Sequence, residues 1–367
     1  MNMTPPESRI GLPLQDLDTP ALLLDLRACD RNLRRMAATF ADRTCQLRPH
    51  FKNHKCTALA RRQLEAGSAV GMTCAKLSEA EILVGHGFDD VLIANQVVGR
   101  GKVQRLAFLN QGATVRVAVD SIDQVHPLGE AATAAGVTVE LLVEVDIGMG
   151  RCGVEPGRPA LDLVAAINAC SGVSFWGVQA FEGHTPYMNN LEERTRVAAS
   201  SMQIAGEVRD DVTRAGTAVH GISGGCTSNY AIDGLIEHLD ELQCGTYATM
   251  DWRYQQAIPD FEIALTVLST VISRPRGDTA VCDVGIKGMA GDFGPPCILE
   301  HPEVEVPHFL SEEHMTLQGA GAWRVGDKIQ AISSHACSTC NLHRWMYVHD
   351  GTTVTDVWPI EASGSLT

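Results

Sequence analysis

A (β/α)8 barrel followed by an antiparallel β-rich domain is the fold that the sequence predicts, and three observations lead to it. From about residue 20, apolar runs alternate with amphipathic segments, the pattern of a parallel sheet covered by helices. No G-x-G-x-x-G follows the first expected strand, so a doubly wound dinucleotide-binding sheet has no support. After Pro259 the texture changes to short β-rich runs separated by Gly, Pro and Asp turns.

Taken in order, the strands expected in the barrel are 20–26, 45–51, 70–74, 91–94, 114–119, 139–145, 173–180 and 221–225. Eight strands close such a barrel. Between them, segments such as 31–40, 56–66, 76–86, 102–110, 159–168 and 191–215 carry apolar residues three and four apart, as helices buried on one face require. Residues 20–258 thus form the barrel, close to the roughly 250 residues typical of the fold. Residues 259–367 form the β-rich domain, with runs at 264–273, 279–284, 328–333, 345–349 and 352–358. Residues 1–19 are too polar for the barrel and are expected to pack with the β-rich domain.

The 367 residues suffice for a barrel and a smaller domain, and the 45% apolar and 20% charged content is that of a globular protein. Setting 29 Lys+Arg against 44 Asp+Glu leaves a net charge of −15, which argues against a nucleic-acid partner. The first twelve residues, with Pro5, Pro6 and Glu7, lack the apolar run of a signal peptide, so a cytoplasmic protein with no membrane partner is expected. The 12 cysteines are scattered and read as reduced core thiols. Only Cys337 and Cys340 stand in a polar context that suits a metal.

Chemistry is expected where strands end. The segment Leu47-Arg48-Pro49-His50-Phe51-Lys52-Asn53-His54-Lys55 closes an apolar run with two lysines and two histidines. A lysine there is a candidate amine nucleophile toward an aldehyde once its surroundings favour the neutral amine, although a solvated surface turn has the same composition. Three more clusters fall at strand ends. Glu144 to Gly153 combines glycines with Arg151, a fixed cationic fork, and Gln179-Ala180-Phe181-Glu182-Gly183-His184 places an acid and a base at one mouth. Ser223 to Ser228 and Gln243 to Tyr247 occupy the seventh and eighth positions, the usual phosphate corner of a barrel, where glycine amides and small hydroxyls can cradle an anion. A lysine and a phosphate cradle on one face point to pyridoxal phosphate. In the β-rich domain, His335 and Cys337 are two apart, so in a strand they would face one side and could share a divalent ion in an open site. Thiolate with imidazole favours zinc over manganese or magnesium.

With these residues assembled, the sequence resembles the D-threonine aldolase and D-serine dehydratase family, fold-type III pyridoxal-phosphate enzymes related to alanine racemase. The likeness runs over nearly the whole chain. It includes R-P-H-x-K at 48–52, C-A-K-x-x-E-A-E at 74–81, E-V-D-x-G-x-G-R-C-G-V at 144–154, S-G-G-x-T at 223–227, E-L-Q-x-G-x-Y-x-x-M-D at 241–251 and H-x-C at 335–337. The resemblance implies that Lys52 carries the Schiff base. It implies a cofactor pocket drawing on His50, Arg151, Gln179 and Phe181, with Ser223, Gly224, Gly225 and Thr227 and then Gly245, Thr246 and Tyr247 around the phosphate. His335 and Cys337 are the implied ligands of a zinc or manganese ion, and a homodimer is the implied assembly.

Two positions depart from the family pattern. Phe181 stands where a tyrosine is usual, and cannot hydrogen-bond the pyridine nitrogen; Tyr187 stands where aldolases carry the histidine that deprotonates the substrate hydroxyl, while a histidine occurs at 184. His184 is therefore the expected base, and Tyr187 is kept beside it as a catalytic candidate. The expected activity is cleavage of a D-3-hydroxy amino acid, D-threonine-like, to glycine and an aldehyde. Two alternatives stand beside it. Cys337 as a ligand leans toward a D-serine or 3-hydroxy-D-aspartate dehydratase, and a non-enzymatic pyridoxal-phosphate carrier is disfavoured by the β-rich domain.

Overall fold

The run Ala21–Asp25 forms strand β1, but not in the barrel: it pairs antiparallel with Leu265–Leu268 and parallel with Tyr347–His349. Three consecutive buried leucines, Leu22, Leu23 and Leu24, suit a strand covered on both faces in either sheet, so apolar periodicity could not choose between them. The computed structural model describes residues 6–186, 188, 190–306 and 311–367. It divides into two units: Met36–Lys52, Ala60–Gly245 and Ser365–Thr367 form one, and Met1–Arg35, Asn53–Leu59 and Thr246–Gly364 the other.

The first unit is a closed parallel barrel. Its strands are β2 (Gln46–Leu47), β3 (Met72–Cys74), β4 (Asp90–Ile93), β5 (Thr114–Val119), β6 (Val139–Glu144), β7 (Val173–Ala180), β8 (Gly221–Gly224) and β9 (Glu241–Leu242), hydrogen-bonded in the order β2-β9-β8-β7-β6-β5-β4-β3. The ring closes between β2 and β3 through the parallel bridges Leu47–Ala69 and His50–Thr73. The eighth strand is thus Glu241–Leu242, in place of residues 20–26. It is two residues long and half charged, which hides it from any hydropathy reading. Its Glu241 takes a bidentate ion pair from Arg48, the residue that follows β2, 2.7 Å at each contact, and Asp90 holds the third guanidinium nitrogen at 2.5 Å. Arg48 is 2% exposed, so this interior charge is stable only because its donors are matched.

The helices follow from their sequences. Arg158–Asn168 opens with Pro159 in its first turn and buries Ala160, Leu163, Val164 and Ile167, the three-and-four spacing of an inward stripe. Leu191–Arg214 is capped by the Asn190 side chain, which accepts from the Glu193 N–H at 2.9 Å, and has acids in its first turn and Arg214 in its last. Its inward face carries Ser201 with Ala198, Met202 and Ala205. Removing such apolar side chains from water contributes about 0.8 kcal/mol per methylene.

In the other unit the sheet order is β12 (Cys297–Ile298), β14 (Lys328–Ile332), β10 (Leu265–Arg276), β1, β15 (Trp345–His349) and β16 (Val354–Pro359), and β11 (Thr279–Cys282) pairs with β10 and with β13 (Met315–Leu317). Leu14 and Leu17 pack here with Leu23, Leu268, Val354 and Val357. All 12 cysteines are unbridged. No helix among the described residues is long and apolar enough to cross a membrane.

Candidate active site

Lys52 follows β2 in a single helical turn, Phe51–Asn53. Two neighbours fix that turn: Phe51 is fully buried, and the His50 N–H donates to the Cys244 carbonyl at 3.0 Å, just beyond β9. Lys52 thereby sits at the C-terminal end of a barrel strand, the face on which such barrels work. Its Nζ lies 5.4 Å from the centroid of the Phe181 ring, and the Arg151 guanidinium carbon lies 5.4 Å from the same centroid. One aromatic ring from the end of β7 therefore gathers both cations that the sequence singles out.

Arg151 rides on a loop shaped by Asp146. The Asp146 carboxylate accepts the N–H groups of Gly150 and Gly148 at 3.1 and 2.9 Å, which holds its pKa below the ordinary carboxylate range. Gly148 has φ +119°, and a Cβ there would stand 3.3 Å from the His184 ring. A glycine at 148 lets the loop lie against that imidazole. His184 Nε2 lies 3.3 Å from Ser201 Oγ, while its buried Nδ1 has no hydrogen-bond partner among the described residues. A histidine held at one nitrogen with the other free is equipped to accept a proton. Tyr187 lies outside the described residues.

The expected phosphate corner is built from the ends of β8 and β9. Gln243 Nε2 donates to Ser223 Oγ at 2.9 Å and to Gln179 Oε1 at 2.7 Å, tying three neighbouring strand ends together. The Ser223 hydroxyl, accepting from Gln243, keeps its own proton to donate. Gly225 has φ +72°, and a Cβ there would meet Leu242 and come within 2.8 Å of Asp233 Oδ2, so only glycine fits this bend. Thr227 is buried in the turn that follows, and Gly224 lies against the Ala180 carbonyl. Amides, two hydroxyls and a cradle that a side chain would fill suit a phosphate. Gly245 closes this unit. Thr246 and Tyr247 begin the helical turn Thr246–Ala248 of the other unit, where Tyr247 is buried with its ring 6.0 Å from Phe261.

The second unit holds the two expected metal ligands, but not in a strand. His335 is the extended residue before a short helix, Ala336–Cys340, so the two-residue spacing acts through a helix start instead. The Thr339 hydroxyl, which donates to the His335 carbonyl at 2.9 Å, and Asp251, which accepts from the Ala336 N–H at 3.1 Å, turn the chain there. Burial alone would lower the His335 pKa, but hydrogen bonding and charge from Cys337, then Asp292, push it up to about 9. Imidazole and thiolate so paired fit a divalent ion of zinc's character. Cys340, by contrast, is fully buried, and burial raises its pKa well above the usual thiol range. It is a core thiol.

Residues 24–251 match the family described as alanine racemase, N-terminal domain, and residues 264–349 match the putative serine dehydratase domain. The chain is 38% identical to a D-threonine aldolase of Arthrobacter sp, covering 98% of this chain and 96% of that protein. The chain belongs to the D-threonine aldolase and D-serine dehydratase family. It is also 33% identical to a 3-hydroxy-D-aspartate aldolase of Paracoccus denitrificans (strain Pd 1222), over 96% of this chain and 94% of that one. The crystal structure of D-threonine aldolase from Filomicrobium marinum superposes with a TM-score of 0.95 at 39% identity, covering 98% of this chain and all of that one.

Beyond the residues expected from sequence, the family's barrel carries here a buried acid pair. Donor atoms of Glu182, Cys226 and Asp233 lie within 4.8 Å of one another, all buried. The Asn229 amide donates to Glu182 at 2.6 Å, while neither Asp233 oxygen has a well-aligned donor among the described residues. Burial raises both carboxyl pKa values, and the Glu182 charge raises that of Asp233 further. Both carboxyls are thereby biased toward their protonated forms. Glu182 lies in the notable Gln179–His184 segment, but nothing local in the sequence points to its partner in a different loop. Ser201 and Asp292 likewise escape a sequence reading, one being a helix residue and the other lying 43 positions from the histidine it touches.

Proposed function

We propose that this protein is a pyridoxal-phosphate- and divalent-metal-dependent lyase of the D-threonine aldolase type, cleaving D-3-hydroxy amino acids to glycine and an aldehyde, and working as a homodimer. The observation that carries the reading is the near-full-length likeness to D-threonine aldolases on a barrel that sets Lys52 at a strand end, over Phe181. Pyridoxal phosphate, when bound, supplies an electron sink for a carbanion at Cα.

The chain's own residues do the remaining work. Lys52 offers the amine that anchors the cofactor's aldehyde and yields its place to the substrate amine. Ser223, Gly224, Gly225 and Thr227 bind the phosphate and fix the ring's orientation, and Arg151 sets a positive charge beside Phe181. His184 takes the proton of the substrate hydroxyl at Nδ1 while Ser201 holds the other side of its ring. As that proton leaves, the Cα–Cβ bond breaks, its electron pair passes to Cα and the aldehyde departs. A proton from solvent, balanced by the one that His184 releases, reaches Cα and completes glycine. His335 and Cys337 would hold a divalent ion, which as a Lewis acid makes a hydroxyl easier to deprotonate.

One observation favours a second reading: the cysteine beside His335 suits a dehydratase, in which the α-proton is removed and the hydroxyl leaves. Incubation with D-threonine and with D-serine separates the two. Glycine and acetaldehyde from D-threonine support cleavage, whereas a 2-oxo acid and ammonia from either substrate support elimination.

A further inference from the structure

We propose that Asp292 is a positioning residue for the divalent ion, orienting His335 so that Nε2 is the ligand atom. The inference rests on the reading above, in which His335 and Cys337 hold the metal. Asp292 Oδ2 lies 2.6 Å from His335 Nδ1. Ser338 closes a triangle, its Oγ donating to the same carboxylate oxygen at 3.1 Å and lying 3.0 Å from the same ring nitrogen. A carboxylate can only accept, so Nδ1 carries the proton and donates it.

The consequence for the ring follows from its chemistry. With the proton held at Nδ1, the lone pair of the neutral imidazole resides on Nε2, the tautomer that a metal requires there. Cys337 stands two residues after His335, in the short helix Ala336–Cys340 that begins there. The Asn53 amide, 3.6 Å from Cys337 Sγ, donates toward that sulfur.

Asp292 and its neighbour act together. The Phe293 ring lies with its centroid 4.4 Å from that of His335, tilted by 35°, so it limits rotation of the imidazole while Asp292 fixes its edge. Gly294, at φ +113°, ends the turn that brings both residues to the histidine. The Asp292 side chain is 47% exposed, so its replacement leaves no buried hole.

The test uses the full-length holoenzyme, stripped of metal with EDTA, dialysed and titrated with zinc by calorimetry. Cobalt titration, read from the thiolate-to-cobalt absorption band, gives an independent view of the same ligands. Asp292→Ala is expected to weaken zinc binding 10- to 100-fold, the usual worth of an outer partner of a ligand histidine, and Asp292→Asn, which keeps an acceptor oxygen, to fall in between. The cofactor's visible band and the thermal midpoint of the metal-free protein should be unchanged. Paired with His335→Ala, the Asp292→Ala change should add nothing further. Zinc bound within twofold of wild type by Asp292→Ala, while His335→Ala loses it, would overturn the role of Asp292 and leave the ligands intact. Unaltered affinity in both His335→Ala and Cys337→Ala would overturn the metal reading itself, and the inference with it.

Discussion

The Lys52 amine stands 5.4 Å from the centroid of the Phe181 ring, within cation–π reach. Lys55, the other lysine of the same segment, is committed elsewhere, donating to Asn341 Oδ1 at 2.8 Å. Lys52→Ala should therefore abolish both turnover and the visible absorbance of the lysine-bound cofactor. Lys55→Ala should keep the absorbance. A borohydride-reducible adduct surviving in Lys52→Ala would move the anchoring amine to another residue.

His184 is held at Nε2 by Ser201 and left free at Nδ1. His184→Ala should lower kcat on the order of a hundredfold or more, the usual worth of one general base, with cofactor absorbance intact. Ser201→Ala should cost much less, because it orients the ring without taking the proton. Equal losses in the two variants would mean that His184 is needed for packing alone.

Metal removal should distinguish the contributions of the two units. The proposed cofactor-binding residues belong mainly to the barrel unit, and His335 and Cys337 to the other. EDTA should abolish cleavage while leaving the visible band in place, and zinc or manganese should restore the rate. Full activity in the chelated enzyme would reduce the His335–Cys337 pair to a structural contact.

The Glu182–Asp233 pair makes stability depend on pH. A carboxyl whose folded pKa lies above its unfolded value binds its proton more tightly in the folded chain. Its contribution is thus fully present below the ordinary carboxylate range, near pH 4, and is lost as pH rises through the raised folded values. Urea unfolding midpoints should fall with rising pH in the wild type. Asp233→Asn, which stays neutral, should flatten that slope and gain relative stability under alkaline conditions. An unchanged slope would show that burial does not raise these carboxyls.

How far the sequence reaches can be traced residue by residue. The positions of Lys52, Arg151 and the Ser223–Thr227 loop at or after barrel strand ends are legible because glycine patterns and strand ends are local features, and the barrel turns each strand end toward one face. The place of β1 is not legible, since three buried leucines suit either sheet equally. Nor is β9, which is short and whose Glu241 looks exposed until Arg48 is seen to meet it. The contacts that hold His184 and His335 come from Ser201 and Asp292. They depend on the fold alone, because no spacing rule links a ring to a hydroxyl on a distant helix or to an acid in a separate turn.

Aldol cleavage leaves the α-proton of the substrate untouched, whereas elimination must remove it. The most direct measurement is the rate of the holoenzyme on D-threonine carrying deuterium or hydrogen at Cα, with the products quantified in the same reaction. Cleavage should show little primary isotope effect and yield glycine and acetaldehyde in equal amounts. A several-fold slowing by deuterium, with 2-oxobutanoate and ammonia as the products, would contradict the aldolase assignment.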